Sequence, residues 1–122
     1  MSNILIADGD AKFIEKCVGV LGKDKHTYTL ATRARQAIAL VDSKRYDVIV
    51  LGGSFPDINY SSYDVALEIR SSHNNKHTAV ICSDRAAGDN LRNEAQLRPY
   101  GRRVEVANDT TFKEQLTAWI TK

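Results

Sequence analysis

Short apolar runs alternate with longer amphipathic segments along the whole chain, and this pattern narrowly limits its fold. The runs are rich in β-branched residues, as expected for strands that are covered on both faces. Strict alternation implies right-handed crossovers and a parallel sheet with helices on both sides. We predict one doubly wound (βα)5 domain over residues 1–122, with the strand order 2-1-3-4-5 that is natural at this size. The five predicted strands are residues 3–7, 27–31, 48–51, 79–82 and 104–107.

Five helices are predicted between and after these strands. Asp10 is placed to cap the first helix, and Thr32 is placed to cap the second. The third helix passes through residues 65–69. The fourth, at 83–97, is weak because it contains a glycine, and the fifth carries an apolar stripe over 112–120.

Composition excludes several classes of protein. The net charge of +2 is too small to predict a nucleic acid or membrane-surface partner. No apolar stretch approaches the roughly 20 residues that cross a bilayer, and the start of the chain lacks a signal-peptide pattern. Cys17 and Cys82 lie in apolar segments without metal-ligand spacing, so we expect two buried free thiols in a cytoplasmic protein.

Polar and glycine residues follow the predicted strands. In parallel α/β sheets, ligands bind beyond the carboxyl ends of the strands. That rule selects the segments 8–10, 52–54, 83–84 and 108–109 as the candidate crevice. This assignment needs only the alternation of strands and helices.

The whole chain also resembles the receiver domains of bacterial response regulators (CheY-like). The resemblance is carried by residues 4–10, by 46–51 with Pro56, by 69–70 and by 80–83. It implies a domain that accepts a phosphoryl group on an aspartate four residues before the proline. Such chemistry requires a carboxylate nucleophile, a divalent cation, a lysine and a hydroxyl group.

The carboxylates of such a site are mostly missing. Gly52 stands in the place of the acceptor aspartate, and Gly9 stands in the place of the second of two adjacent acids. Asp8 and Asp10 remain, but two loose aspartates hold magnesium poorly. Gly52 and Gly53 are also compatible with a tight turn that needs a positive φ.

The lysine is missing as well. Its place falls on Asn108 or Asp109, and only the hydroxyl survives, as Ser83. The resemblance therefore implies a pseudo-receiver that lacks the phosphoacceptor aspartate, with no catalytic residue, no bound metal and no cofactor. We expect a protein without enzymatic activity.

The expected function is phosphorylation-independent protein–protein interaction in two-component, phosphorelay-type signal transduction. The expected partner is another signalling protein or an output domain, without direct contact to nucleic acid or membrane. A homodimer through the last two helices and the fifth strand is a further expectation. The candidate interaction residues are a basic rim and two loop tyrosines: Arg92, Arg98, Tyr100, Arg102 and Arg103, with Tyr60 and Tyr63. The alternatives are that the tyrosines pack over the open crevice and that the arginines are solvated surface charges.

Two alternatives remain open. The vacated crevice could bind a small ligand or anion, which would need backbone donors at 52–53 and a cation that the strand ends do not offer. Phosphorylation could instead use Asp47, at the amino end of the third strand, or Asp57, for which a local turn role is expected. The histidines at 26, 73 and 77 share no ligand spacing and are expected in solvent.

Overall fold

The predicted strands form one parallel sheet in the order β2-β1-β3-β4-β5. The structure is a computed structural model that describes residues 2–82 and the backbone of residues 104–106. This confirms the predicted fold class and strand order. The fourth and fifth predicted helices lie outside the described residues. The strands are β1 (Asn3–Ala7), β2 (Thr27–Ala31), β3 (Val48–Leu51), β4 (Ala79–Cys82) and β5 (Val104–Val106).

Three helices cover the two faces of the sheet: α1 (Ala11–Leu21), α2 (Ala34–Ser43) and α3 (Ser62–Ser71). Alternate residues of each strand point to opposite faces. Leu5 therefore packs into a core with α2 and α3, whereas Ile4 and Ile6 pack with the apolar side of α1. Both cysteines are buried and free, as predicted.

Helix α1 begins directly after the predicted cap. The carboxylate of Asp10 accepts a hydrogen bond from the amide of Lys12 at 2.9 Å. At the other end, the amide of Gly22 donates to the carbonyl of Val18 at 2.9 Å, with a φ of 98° that favours glycine. The Asp10 cap thus fixes the start of α1 directly after the β1–α1 turn.

Helix α2 is capped from a distant part of the chain. Its N-cap is Arg33, whose side chain makes no capping bond, so the prediction for Thr32 was wrong. Asp57 supplies the cap: Oδ1 accepts from the amide of Ala34 at 2.7 Å, and Oδ2 accepts from the amide of Arg35 at 3.3 Å. Asp57 thus joins the loop after β3 to α2, beyond the local turn role expected for it.

Within residues 2–82 and 104–106, no helix combines the length and the apolar character that crossing a bilayer requires.

Candidate functional site at the carboxyl edge of the sheet

The turn after β1 and the turn after β3 lie side by side at the carboxyl edge of the sheet. Ala7 pairs with Leu51 in the parallel register of these strands. The amide of Gly52 donates to the carbonyl of Ala7 at 2.8 Å, which extends the pairing one residue further. The structure therefore brings Asp8 and Gly52 together, as the alternation of elements predicts.

The side chain of Asp8 is turned into the protein and is only 3% exposed. Its Oδ1 accepts a hydrogen bond from the amide of Asp10 at 2.7 Å, and the amides of Ser54 and Gly53 also bond to the carboxylate. Burial raises the pKa of Asp8 above its ordinary value, and the charge of Asp10 acts in the same direction, while the three amides oppose the rise. The carboxylate is thus a structural link between the two turns.

Gly52 is required because Asp8 approaches it so closely. A Cβ at position 52 would lie 2.7 Å from the Cβ of Asp8, and closer still to its Cγ and Oδ2. The side chain of Asp8 therefore occupies the space that any side chain at position 52 would need. The expectation of a positive φ at Gly52 or Gly53 is wrong, because Gly22 alone has one among the residues the structure describes.

Gly9 is also a point of close approach. Its amide donates to the carbonyl of Ser54 at 2.5 Å. A Cβ at position 9 would lie 2.6 Å from that oxygen and 2.9 Å from the Cδ of Pro56. The loop after β3 therefore covers the position at which the resemblance places the second acid.

The remaining predicted site residues are separated from this contact or lie outside the described chain. Asp10 is exposed, and its carboxylate caps α1. Residues outside the described part are Ser83, Asn108 and Asp109 of the predicted site, and Arg92, Arg98, Tyr100, Arg102 and Arg103 of the predicted basic rim.

The described donor set does not fit the magnesium ion that the resemblance implies. Magnesium requires near-octahedral oxygen ligands from one or two carboxylates, together with waters and phosphate. The carboxylate of Asp8 is taken by backbone amides, and that of Asp10 is taken by the cap of α1. Over residues 2–82, no cluster of three histidine, cysteine or acidic side chains is arranged to hold a metal.

The two alternative phosphorylation positions lie away from the crevice or are already bonded. Asp47 lies at the amino edge of the sheet, where its Oδ2 accepts from the amide of Asn3 at 2.7 Å. Asp57 binds the N-terminus of α2. Desolvation by itself would raise the pKa of Asp57. The amide hydrogen bonds and the charge of Arg33 outweigh this effect, so the pKa lies below its ordinary value.

The segment from Asp57 to Tyr63 borders the crevice and exposes large apolar side chains. Tyr60 lies in the loop after β3, whereas Tyr63, predicted in the same loop, lies in the first turn of α3. Tyr60 is 42% exposed and Tyr63 is 38% exposed, and the sequence predicted both at a surface. Ile58, which was not singled out, is 97% exposed. A cavity of about 360 Å³ lies under this loop, lined by Gly53, Phe55, Asp57, Ile58, Asn59, Tyr60, Ser61, Ser62 and Asp64.

Comparisons with known proteins identify the fold. No protein-family model matches the chain, and no curated protein matches its sequence. Among solved structures, the response regulator TrrA of Thermotoga maritima is 19% identical, with a TM-score of 0.69 over 99% of this chain and 97% of that one. The receiver domain of a sensor histidine kinase of Pseudomonas aeruginosa is 21% identical, with a TM-score of 0.66 over 99% and 98%.

A CheY-like receiver domain protein of Methanospirillum hungatei is 12% identical, with a TM-score of 0.74 over 99% of this chain and 91% of that one. At such identities the similarity concerns the fold. The chain has the fold of CheY-like response-regulator receiver domains.

Proposed function

We propose that this chain is a pseudo-receiver, a module of two-component signal transduction that acts by phosphorylation-independent protein–protein interaction in the bacterial cytoplasm. It has no enzymatic activity of its own. One observation carries the proposal: the buried side chain of Asp8 fills the space beside Gly52. A receiver needs an accessible carboxylate at that point, and this chain has a closed contact between two turns.

Asp8 is a poor substitute for the missing nucleophile. Its carboxylate is buried and bonded by the amides of Asp10, Ser54 and Gly53. A phosphodonor would have to displace these bonds before it reached a carboxylate oxygen. Desolvation also disfavours the charged form that attacks phosphorus.

Similar solved structures support the proposal that this chain has the receiver fold without the receiver's phosphorylation site. TrrA was solved in complex with magnesium and a beryllium fluoride, and the Pseudomonas aeruginosa domain was solved with magnesium in its active-site cleft. In this chain, Gly9 and Gly52 occupy the places of two acids, and the loop of Ser54 closes over the first of them.

The partner is another signalling protein or an output domain. The similarity to NtrX of Brucella abortus covers 98% of this chain but 26% of that one, so a unit of this fold can be part of a longer protein. A homodimer through the fifth strand and the last two helices, with the basic rim of residues 92–103, remains part of the proposal.

The proposed contact surface within the described part of the chain is formed by Ile58 and Tyr60 of the loop after β3 and by Tyr63 of α3. Three of the four exposed large apolar residues there belong to it, Leu30 being the fourth. The loop is held at one end by Asp57 on α2. At the other end Asp64 accepts a hydrogen bond from the amide of Ser61 at 2.8 Å. A fixed loop that exposes isoleucine and tyrosine loses little entropy on binding.

Anion binding in the crevice is less favoured. That alternative needs the backbone amides that follow β3, and those of Gly53 and Ser54 already bond to Asp8. The crevice segments 8–10, 52–54, 83–84 and 108–109 contain no lysine or arginine.

The test is incubation of the full chain with acetyl phosphate and magnesium, followed by intact-protein mass spectrometry, and a beryllofluoride titration followed by NMR. We expect no covalent phosphate and no beryllofluoride-dependent shifts, with TrrA treated in parallel as the comparison. A magnesium-dependent phosphate on any aspartate would overturn the proposal.

A further inference from the structure

A second cavity lies at the amino edge of the sheet, opposite the crevice. It is enclosed by the α2–β3 connection and the α3–β4 connection and has a volume of about 360 Å³. That volume lies within the range of about 300–1,000 Å³ that is usual for small-molecule sites. The lining residues are Arg45, Tyr46, Asp47, His73, Asn74, Lys76, His77 and Thr78.

Hydrogen bonds fix the two connections to each other. Asn75 is fully buried, and its Nδ2 donates to the carbonyls of Val41 at 2.6 Å and Lys44 at 2.7 Å. Its Oδ1 accepts from the amide of Tyr46 and from the hydroxyl of Thr78, both at 3.0 Å. The walls of the cavity are therefore formed before any ligand arrives, which lowers the entropic cost of binding.

The lining carries two cationic side chains, Arg45 and Lys76, and one carboxylate, Asp47. The two cations come from the two connections. His73 and His77 are exposed, as expected from the sequence, and both border this cavity. Guanidinium and ammonium groups converging on one concave surface raise the local concentration of anions.

A buried arginine lies directly behind this surface. Arg70 is 0% exposed, and its Nη1 donates to the carbonyls of two lining residues, Lys76 at 3.2 Å and Thr78 at 2.9 Å. Its Nε and Nη2 have no hydrogen-bond partner within the described part of the chain. Desolvation lowers the pKa of Arg70 to about 10, with Cys82 opposing it, so the group is still cationic at neutral pH. The charge of Arg70 adds to the positive potential of the cavity.

We propose that this amino-edge cavity binds a phosphate group, carried by a small organic molecule or present as the free ion. Arg45 and Lys76 hold the phosphate oxygens by charge-assisted hydrogen bonds, and the charge of Arg70 strengthens the attraction. The site is separate from the crevice. It gives the module an input that requires no aspartyl phosphate.

The test is a titration of the 15N-labelled full chain, followed by NMR, with glycerol 3-phosphate, inorganic phosphate and sodium chloride at matched ionic strength. We expect saturable shifts of the amides of residues 45–47 and 73–78 with a phosphate, and none with chloride. Tighter binding of glycerol 3-phosphate than of inorganic phosphate identifies an organic phosphate as the ligand. Equal or tighter binding of inorganic phosphate identifies the free ion.

Variants test whether phosphate binding depends on the residues of this cavity or on a general attraction to basic surface residues. The double variant Arg45→Ala with Lys76→Ala should weaken binding about tenfold or more. Lys12→Ala, at the start of α1, should leave it unchanged, and Asp47→Asn should tighten it. Shifts that are equally large with chloride, or an affinity that the double variant leaves unchanged, would overturn the proposal. Neither result bears on the acetyl phosphate test of the crevice.

Discussion

The carboxylate of Asp8 lies in the space that a side chain on Gly52 would occupy. A side chain at the end of β3 would need that space, and here it is filled by the residue that follows β1. The absence of a side chain at position 52 and the burial of Asp8 are therefore two sides of one contact. An acceptor cannot return to position 52 unless Asp8 leaves.

The first prediction concerns Gly52→Asp. The new side chain would collide with the buried Asp8, so we expect the free energy of unfolding to fall by about 1–3 kcal/mol, as for overpacked core positions. We also expect no phosphorylation by acetyl phosphate and magnesium, since the site still lacks the second acid. Urea denaturation and intact-protein mass spectrometry measure the two effects.

Gly19→Ala is the matched control for this substitution. A Cβ on Gly19, inside α1, meets no atom within 4 Å, so alanine there should be neutral or stabilising by up to about 1 kcal/mol. If Gly52→Asp proves as stable as the parent chain, or accepts a phosphate, then the placement of Asp8 beside position 52 is wrong.

The second prediction concerns Asp57→Asn. The lowered pKa of Asp57 means that its carboxylate stabilises the fold above the ordinary pKa of an aspartate, and that this contribution is lost as the pH falls through the lower folded-state value. The asparagine variant should therefore be less stable than the parent near neutral pH, and the difference should vanish in acid. Thermal unfolding at several pH values measures it.

Asp24→Asn, in the exposed loop before β2, provides the comparison. Near neutral pH it should unfold at the same temperature as the parent chain. A stability difference for Asp57→Asn that does not depend on pH would argue against a capping role for the charged carboxylate.

The third prediction concerns the carboxyl pair of Glu68 and Asp42, which joins α3 to α2. A hydrogen bond with Asp42, then burial and the charge of Asp42, raise the pKa of Glu68 to about 7. The folded protein thus holds a proton that the unfolded chain releases near its ordinary value of 4.5, and stability falls as the pH rises from there through about 7.

Glu68→Gln removes this dependence. Because the pair is partly exposed, we expect the variant to be more stable than the parent above neutral pH by no more than about 1 kcal/mol. The slope of stability against pH should also become flatter. Urea denaturation between about pH 5 and pH 8 tests this, with Glu15→Gln on the exposed side of α1 as control. An unchanged slope would contradict the shared proton.

The sequence predicts those parts of the fold that depend on local pattern. Four strands have the predicted bounds, and the position of Asp8 beside Gly52 follows from the parallel order. Side-chain contacts between distant loops leave no such pattern. Asp57 caps a helix that begins 23 residues earlier, and Asn75 bonds to Tyr46 across 29 residues. Neither spacing is periodic, so the helix cap and the amino-edge cavity became visible only in three dimensions.

The last prediction concerns Ile58, at the tip of the loop after β3. Because this side chain is 97% exposed, Ile58→Asp should leave the free energy of unfolding within about 0.5 kcal/mol of the parent value. If the loop carries the interaction, the same change should remove the specific partner recovered when the full chain is used as bait in the source proteome. Leu30→Ser, at an exposed site on the edge strand β2, should retain it. Acetyl phosphate should change neither result, because contact through this loop requires no phosphorylated aspartate. A partner that both variants retain, or that binds only after phosphodonor treatment, would place the interaction elsewhere.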